Sequence, residues 1–442
     1  MSLRLPFKAR SALAAFRTLE RVSDLRGNVT AGASGSAPAE PVRPSWWVFV
    51  STIGELNATA PVLEAIRARM GGLTLVLVTD HPHYRESFLA RFPEAEVFVT
   101  LGHSRDAAVL AQMRPPRLLV VAEIPLIPSD APCRCSAAFL LEARMRGARL
   151  VAVNGWLYHY QPPCRMDAIE RSLLARATLE QFDAICVQTD SVRQGLLTSG
   201  APADRLHVCG NLKFDALRQS RAWHAADARS PALAQGLIDS GREVIVAGSL
   251  TRHDELQAVI DAFLAIRREH TRALLVIAPR HPEVAANLDD IETRLTAGGL
   301  VASWRSRIPD AALPDRTDVL VVDTMGELRD LYAVSQAAHV GVDHNVLEPL
   351  TYFKPTSVLP GWESTFPSFP VYTMLRNAGA LMVAEDAHSL VVCWRDALTG
   401  RATSLVQQAR DVLMRSGSSL DQHLEALAPV LDSLRPMPSN AP

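Results

Sequence analysis

Three consecutive runs decide the fold: EVIVAGS at 243–249, LQAVIDAFLAIRREH at 256–270 and ALLVIAPR at 273–280. The outer two are short and rich in aliphatic and β-branched residues, as strands are, whereas the middle one is longer and has the apolar period of a helix. A strand, a helix and a second strand in this order predict a parallel sheet covered by helices.

The same alternation continues in both directions along the chain. Further strand-like runs lie downstream at 318–324, 337–343 and 356–360, and upstream at 46–50, 73–80, 117–123, 148–154 and 183–189. Two consecutive α/β units result, and the polar stretch RQSRAWHAADARS at 218–230, which lacks a strand, lies between them. We therefore predict an arm and linker over 1–45, one domain over 46–217, and a second over 218–442 that includes the C-terminal helices.

Composition excludes some classes of partner. The chain has 442 residues, 48% of them hydrophobic, and a formal net charge of -2. That balance provides no global basic field, so nucleic acid is not an expected partner and an anionic ligand must be bound locally. The six cysteines form no C-x-x-C pair, which favours a reduced, cytosolic protein. Cys133-Arg134-Cys135 is the one alternative, a metal pair with distant partners.

The N-terminal segment carries a basic amphipathic pattern over residues 3–26. No apolar run in the chain approaches the roughly 20 residues needed to span a bilayer. The segment could lie in an anionic lipid interface, or it could pack on the surface of the protein itself, and the pattern leaves both open. Residues 27–45, rich in Gly, Ala, Ser and Pro, predict a flexible linker.

Charged residues stand where strands of the first unit end. Glu55 follows the first strand and Gly54, and it is either a functional carboxylate or a helix cap. Glu123 ends an apolar run and needs a partner, for which an Arg is the structural alternative. Lys213 closes the unit and could neutralise a phosphate or a sugar carboxylate, or pair with Asp215 or another acid.

The second unit offers groups suited to a nucleotide. Arg280 follows a strand and can form a fork with phosphate. Gly326 precedes a predicted helix, where free amides would form an anion site. The carboxylate of Glu348 could accept hydrogen bonds from both ribose hydroxyls, or cap its own helix. His344 could be a structural histidine, because no metal-ligand spacing surrounds it.

These segments in combination resemble the 3-deoxy-D-manno-octulosonic acid (Kdo) transferases. The resemblance covers about Trp46 to Ala380 and depends on the order and spacing of seven motifs. They are Gly54-Glu55, Glu123, Gly210-Asn211-Leu212-Lys213-Phe214-Asp215, Pro279-Arg280-His281-Pro282-Glu283, Asp323-Thr324-Met325-Gly326-Glu327-Leu328, His344-Asn345 and Leu347-Glu348-Pro349. Ala247-Gly248-Ser249 belongs to the same pattern.

The resemblance implies a fold and an activity. The fold is GT-B, two Rossmann-like domains that face each other across a cleft. The activity is inverting transfer of Kdo from CMP-Kdo to lipid A or its precursor, in lipopolysaccharide synthesis at the cytoplasmic face of the bacterial inner membrane. It needs no metal in the chemical step and no cofactor, and it makes the protein a peripheral membrane enzyme.

The resemblance also assigns site residues. Glu55 matches the general base, and Glu123 and Lys213 match the supporting charges around the transition state. With an ordinary pKa of about 4.3, Glu55 would be ionised at neutral pH. The segments that match the CMP site contain Pro279, Arg280, Met325, Gly326, Glu327, Asn345, Val346, Leu347 and Glu348.

Some positions depart from the family pattern. They are Ile124 to Pro128 after Glu123, Gly155-Trp156 after Asn154, and the contracted Gly341-Val342-Asp343 before His344. The first two bear on the acceptor and the third on the sugar pocket. A transferase of another CMP-linked ulosonic acid, with a capsule or modified-core acceptor, therefore stays open, as do an inactive nucleotide-binding relative and a UDP-sugar epimerase of similar fold.

Overall fold

A computed structural model describes most of the chain. The described residues are 4–24, 44–100, 102–123, 137–158, 174–215, 223–308, 313–415 and 417–434. Most of the linker predicted over 27–45, the departure at Ile124 to Pro128, and Cys133 with Cys135 lie outside these ranges.

The first unit is built on a parallel sheet. Its strands are β1 (Ser45–Phe49), β2 (Thr74–Thr79), β3 (Glu96–Val99), β4 (Pro116–Ala122), β5 (Arg149–Gly155), β6 (Ala184–Val187) and β7 (Leu206–Val208). The seven strands lie in the order β3-β2-β1-β4-β5-β6-β7. The inner strands are mostly apolar because helices cover both faces of the sheet.

Helices of the first unit pack on both faces of this sheet. They are α1 (Arg4–Asp24), α2 (Ile53–Met70), α3 (Arg85–Arg91), α4 (Ser104–Met113), α5 (Ala137–Met145) and α6 (Asp190–Thr198). On one face, the ring of Phe139 in α5 meets Phe49 of β1 edge to face at 5.5 Å between centroids. On the other face, Leu63 and Ile66 of α2 pack with Val48 of β1.

The second unit repeats the architecture. Its strands are β8 (Glu243–Leu250), β9 (Ala273–Pro279), β10 (Ala302–Trp304), β11 (Val319–Val321), β12 (Ala337–Val340), β13 (Thr356–Val358) and β14 (Met382–Val383). The helices are α7 (Pro231–Asp239), α8 (His253–Ile266), α9 (Ala285–Ala297), α10 (Leu328–Val334), α11 (Leu347–Thr351), α12 (Phe369–Asn377), α13 (Ala387–Leu398) and α14 (Thr403–Met414). The sheet order is β10-β11-β9-β8-β12-β13-β14.

The division of the chain differs from the predicted one at the C-terminus. The compact units are Met1–Asp215 together with Ser418–Pro442, and Ala216–Gly417. The last helix, α15 (Ser419–Asp432), therefore belongs to the first unit and not to a domain over 218–442. The cause is apolar burial, because Leu427 and Leu431 of α15 lie in one cluster with Leu118 and Val120 of β4.

The N-terminal helix is also part of the first unit. Leu13 and Phe16 of α1 are buried, and they belong to the apolar cluster that contains Phe139 and Leu140 of α5. Of the two interpretations of this segment, packing on the protein itself is therefore confirmed. Within the ranges given above, no helix is long and apolar enough to cross a membrane.

Candidate functional site

Two carboxylates flank the point at which strand order reverses in the first sheet. β1 pairs with β2 on one side and with β4 on the other, so the loops after β1 and β4 leave in opposite directions and open a crevice. In open α/β sheets ligands bind in such a crevice. Glu55 follows β1 and Glu123 follows β4, as the strand-end argument predicts.

Glu55 caps its helix and has a raised pKa. Its Oε2 accepts hydrogen bonds from the amides of Ser51 at 2.7 Å and Thr52 at 2.9 Å, while the Thr52 hydroxyl accepts from the Glu55 amide. Burial and the Glu123 charge raise the Glu55 pKa to about 8, although those two amides and Lys213 lower it. The helix-cap interpretation is thus correct as geometry, and the expectation of an ionised Glu55 at neutral pH is wrong.

Glu123 forms an ion pair with Lys213, so the two predicted supporting charges meet. The Glu123 side chain is 2% exposed and that of Lys213 is 25% exposed. The partner of Glu123 is therefore a lysine, not the arginine that was the structural alternative. Asp215, one expected partner of Lys213, instead accepts a hydrogen bond from the Leu420 amide at 2.6 Å.

The second sheet has its own reversal of strand order, between β8 and β12. β8 pairs with β9 on one side and β12 on the other. Gly341 follows β12, and a Cβ there would collide with the backbone carbonyl of Ser249, which follows Gly248. The close approach of these two backbones explains a glycine at this position.

Arg280 and His344 come together at this edge. Pro279 is the last residue of β9, and the Arg280 amide donates to the Leu250 carbonyl at 2.9 Å. Burial, then the charges of Arg280 and His281, lower the His344 pKa to about 3. His344 is therefore neutral at physiological pH, and an anion beside Arg280 meets one permanent positive charge.

Gly326 lies under an arginine that the sequence did not single out. Its φ is 90°, and a Cβ would collide with Nη1 of Arg229. The Met325 side chain is 42% exposed. The helix that follows, α10, is short, so Arg229 is a better source of positive charge at this glycine than the helix amides.

Glu327 is a buried structural hub. Its carboxylate accepts hydrogen bonds from the Ser230 hydroxyl at 2.5 Å, from Nε of Arg305 at 2.9 Å, and from the Thr324 hydroxyl. Both oxygens are thus engaged by the protein. Glu327 therefore fixes the loop before α10.

The loop after β12 carries the remaining predicted CMP residues. Asn345 Oδ1 accepts from the Leu347 amide at 3.2 Å. Val346 and Leu347 are buried. Glu348 is half-buried and interacts with Tyr332, whose phenol pKa is raised well above its ordinary value by burial and then by the Glu348 charge.

The chain is similar to several known proteins. The family model of 3-deoxy-D-manno-octulosonic-acid transferase matches residues 26–216. A bifunctional glycosyltransferase/methyltransferase of Fusobacterium nucleatum is 24% identical over 318 residues, which are 70% of this chain and 46% of that protein. A 3-deoxy-D-manno-octulosonic acid transferase of Haemophilus influenzae is 24% identical over 413 residues, 91% of this chain and 90% of that protein.

Residues 26–216 match the Kdo transferase family model, and most of the chain is similar to a curated Kdo transferase at 24% identity. The chain is a glycosyltransferase, and it spans less than half the length of the Fusobacterium protein. A solved structure, the UDP-GlcNAc 2-epimerase from Neisseria meningitidis bound to UDP-GlcNAc, superposes with a TM-score of 0.56 at 15% identity over 87% of this chain and 100% of that one. At that identity the likeness shows the fold alone, the GT-B class of two Rossmann-like domains.

Several polar residues lie beside the predicted acids, and the sequence assigned no role to them. The Ser51 hydroxyl donates to Asp80 at 2.6 Å, which links the loop after β1 to that after β2. Asn154, Gln188 and Asn211 form a buried chain of hydrogen bonds behind Glu123. Their shared signal is position, because each follows or ends an inner or neighbouring strand of the same sheet.

One cluster contains residue types that could hold a metal ion. Ligand atoms of Cys186, Cys209 and His423 all lie within 4.8 Å of one another, and all three residues are buried. Both ring nitrogens of His423 are already engaged, with the Asn154 amide and the Ser419 carbonyl. A bound metal would therefore leave one of those backbone groups without its partner, so the residues present do not fit a metal.

Proposed function

We propose that this protein transfers Kdo from CMP-Kdo, with inversion, to a hydroxyl of lipid A or its precursor. The observation that carries the proposal is Glu55 and Glu123 flanking the reversal of strand order, with Lys213 paired to Glu123. This arrangement surrounds a ligand position with one proton acceptor and one ion pair. The resemblance to Kdo transferases suggests the sugar, and CMP-Kdo and the lipid acceptor are further parts of the proposal.

The chemical step is a single displacement. The acceptor oxygen forms a bond to the anomeric carbon of Kdo on the face opposite CMP, while the bond from that carbon to the phosphate oxygen breaks with its electron pair. The acceptor proton passes to the ionised form of Glu55. Because the pKa of Glu55 is about 8, a small fraction at neutral pH carries the reaction, and the carboxylate is a stronger base than an ordinary glutamate.

Side-chain cations replace a metal in this proposal. The departing CMP gains negative charge on its phosphate, and preorganised donors aimed at developing charge give the largest catalytic effects. Arg280 is a candidate for this contact, and so is Arg229 at Gly326. The half-buried Glu348 is the proposed acceptor for the ribose hydroxyls, since an ionised carboxylate offers two oxygens.

The test is transfer by the purified protein with CMP-Kdo generated in place and a panel of acceptors. The panel contains a lipid A precursor, complete lipid A, and the same glycans without acyl chains. We expect a product heavier by one or more Kdo residues and release of CMP. If no acceptor in the panel gives a product or releases CMP, the proposal is contradicted. Conversion of UDP-GlcNAc under the same conditions would favour an epimerase.

We also propose peripheral attachment at the cytoplasmic face of the inner membrane. The support is the lipid acceptor together with the exposed side of α1, where Phe7 is 71% exposed and Arg10 is also exposed. Lys8 forms an ion pair with Glu180 at 2.9 Å, so its positive charge is already balanced by the protein. Sedimentation with anionic vesicles should weaken at 1 M salt, where the Debye length is about 3 Å, and equal binding by Arg10→Glu would contradict a role for this helix.

A further inference from the structure

Asn154 occupies an irregular position at the end of β5. The pairing of β5 with β6 shifts register between Ala152 and Gly155, as at a β-bulge. Asn154 lies inside this irregularity with φ at 55°, in the left-handed region. Bulges redirect side chains and occur beside active sites, and asparagine tolerates the left-handed conformation better than most residues.

The Asn154 side chain contacts Glu123 and the backbone next to Lys213. Its Nδ2 donates to Oε2 of Glu123 at 3.1 Å. Its Oδ1 accepts from the amide of Leu212 at 2.9 Å, and Leu212 directly precedes Lys213. Lys213 binds the other oxygen of Glu123. The side-chain amide of Asn154 therefore holds both the Glu123 carboxylate and the segment that carries Lys213.

His423 holds Asn154 from the opposite side. The backbone amide of Asn154 donates to Nε2 of His423 at 3.0 Å, and Nδ1 of the same ring lies 2.7 Å from the Ser419 carbonyl. An amide only donates and a carbonyl only accepts, so the proton sits on Nδ1 and the ring is neutral. Burial lowers the His423 pKa to about 4, which keeps this arrangement at physiological pH.

This contact joins residues that are far apart in the sequence. His423 belongs to α15, which the chain reaches only after completing the second unit, 269 residues beyond Asn154. Gln188 adds a further restraint, since its Nε2 donates to the Asn154 carbonyl at 3.0 Å. The strained backbone of Asn154 is thus held at its amide, its carbonyl and its side chain.

We propose that Asn154 is a positioning residue that holds the Glu123–Lys213 pair in its working geometry, and that His423 of the C-terminal helix fixes Asn154 in turn. The inference rests on the proposed function, because it assumes that Glu123 and Lys213 act in transfer. It assigns the C-terminal helix a role in the reaction besides its apolar packing.

Asn154→Gly is the decisive variant, since glycine accepts a φ of 55° and only the side chain is lost. We expect kcat to fall by roughly 10- to 100-fold with the KM for CMP-Kdo unchanged. His423→Leu should have the same effect, and His423→Gln, which keeps an acceptor for the Asn154 amide, should recover most of the rate. Thr178→Val is the matched control, because Thr178 is also fully buried and its hydroxyl bonds only to Leu174 and Ala175 carbonyls.

A second measurement separates this inference from the proposed function. The titration of Glu55, followed by NMR of glutamate labelled at the side-chain carboxyl carbon, needs no turnover. Because the Glu123 charge raises the Glu55 pKa, we expect the midpoint in Asn154→Gly to move by about half a unit or more.

The possible outcomes are distinct. A wild-type protein that transfers no Kdo refutes the proposed function, while a shifted Glu55 midpoint in Asn154→Gly still supports the positioning role. If Asn154→Gly and His423→Leu lose only melting temperature, as Thr178→Val does, and keep the wild-type kcat and Glu55 midpoint, the positioning role is overturned.

Discussion

Each unit contains a buried histidine near the carboxyl edge of its sheet, and the two are used differently. In the first unit, His423 accepts a hydrogen bond from Asn154, whose side chain binds the ion-paired Glu123. In the second, His339 contacts Glu255 at 3.2 Å, and Glu255 accepts from the amide of Val342 at 3.2 Å. The first network ends on a charged side chain, whereas the second ends on the backbone.

The two networks indicate what each unit contributes to the reaction. A network that ends on Glu123 positions a group that can act on a reacting atom. A network that ends on Val342 shapes the loop that leads to His344 and Glu348, and so prepares a surface for a ligand. We therefore expect changes in the first unit to alter the rate of transfer and changes in the second to alter nucleotide binding.

Glu55→Gln should produce the largest effect. It keeps the size of the side chain and its hydrogen bonds to the loop but removes the base, so the transfer rate should fall by about 10² to 10⁴. The change in melting temperature on adding CMP should survive, because the proposed CMP contacts belong to the second unit. Glu64→Gln, on the same helix and ion-paired with Arg91 at 2.6 Å, is the control.

Two results would contradict this division of roles between the units. Near-normal turnover in Glu55→Gln would reduce Glu55 to a helix cap, whose loss costs at most about 1 kcal/mol of stability. Loss of the CMP response in the same variant would mean that the first unit also determines nucleotide binding.

Phe16→Ala tests whether α1 is a structural part of the first unit. Phe16 is fully buried in the core, so its truncation should lower the free energy of unfolding by about 3 to 5 kcal/mol, measured in urea. Phe7→Ala on the same helix is the control, since Phe7 is 71% exposed. A loss below about 1 kcal/mol for Phe16→Ala would show that α1 does not stabilise the first unit.

The inner strands of both sheets were predictable and the edge strands were not. The five inner strands of each sheet appear as apolar runs, such as WWVFV and ALLVIAPR, because both of their faces are covered. The edge strands β3, β7, β10 and β14 are short, two to four residues each, and β3 (EVFV) and β7 (LHV) include polar or exposed positions. A run that short carries no period of its own, and inner strands of similar length were found only because they lie in longer apolar runs such as DVLVVDT.

The site divides in the same way. Glu123 stood out because a charge at the end of an apolar run needs a reason, and the family resemblance gave Glu55, Glu123 and Lys213 their expected roles. The contact of His423 with Asn154 joins residues 269 positions apart, and no local sequence pattern predicts such a contact. The raised Glu55 pKa was unpredictable for the same reason, since it arises from burial and from a neighbouring carboxylate on another strand.

Glu348→Ala and Arg280→Ala test the second unit. CMP at 100 times its dissociation constant should stabilise the wild-type protein by about 2.7 kcal/mol. Either substitution should remove most of that stabilisation, because each deletes a charged ligand contact. Glu292→Ala, an exposed position on α9, should leave it intact. An unchanged melting shift in both variants would place the nucleotide elsewhere.

The dependence of rate on pH is the smallest expected effect and the sharpest test of the comparison. The Glu55 pKa of about 8 is raised by burial and by Glu123 and lowered by Lys213, so ionisation, and with it kcat, should rise with pH through that value. From pH 7 to pH 9 the ionised fraction increases about tenfold, which is about 1.4 kcal/mol. His344, with a pKa of about 3, stays neutral throughout, so the CMP melting shift should be flat over the same range. The residual rate of Glu55→Gln should be flat as well. A wild-type rate that is constant from pH 7 to pH 9, or a Glu55→Gln rate that still rises, would show that Glu55 is not the group that accepts the proton.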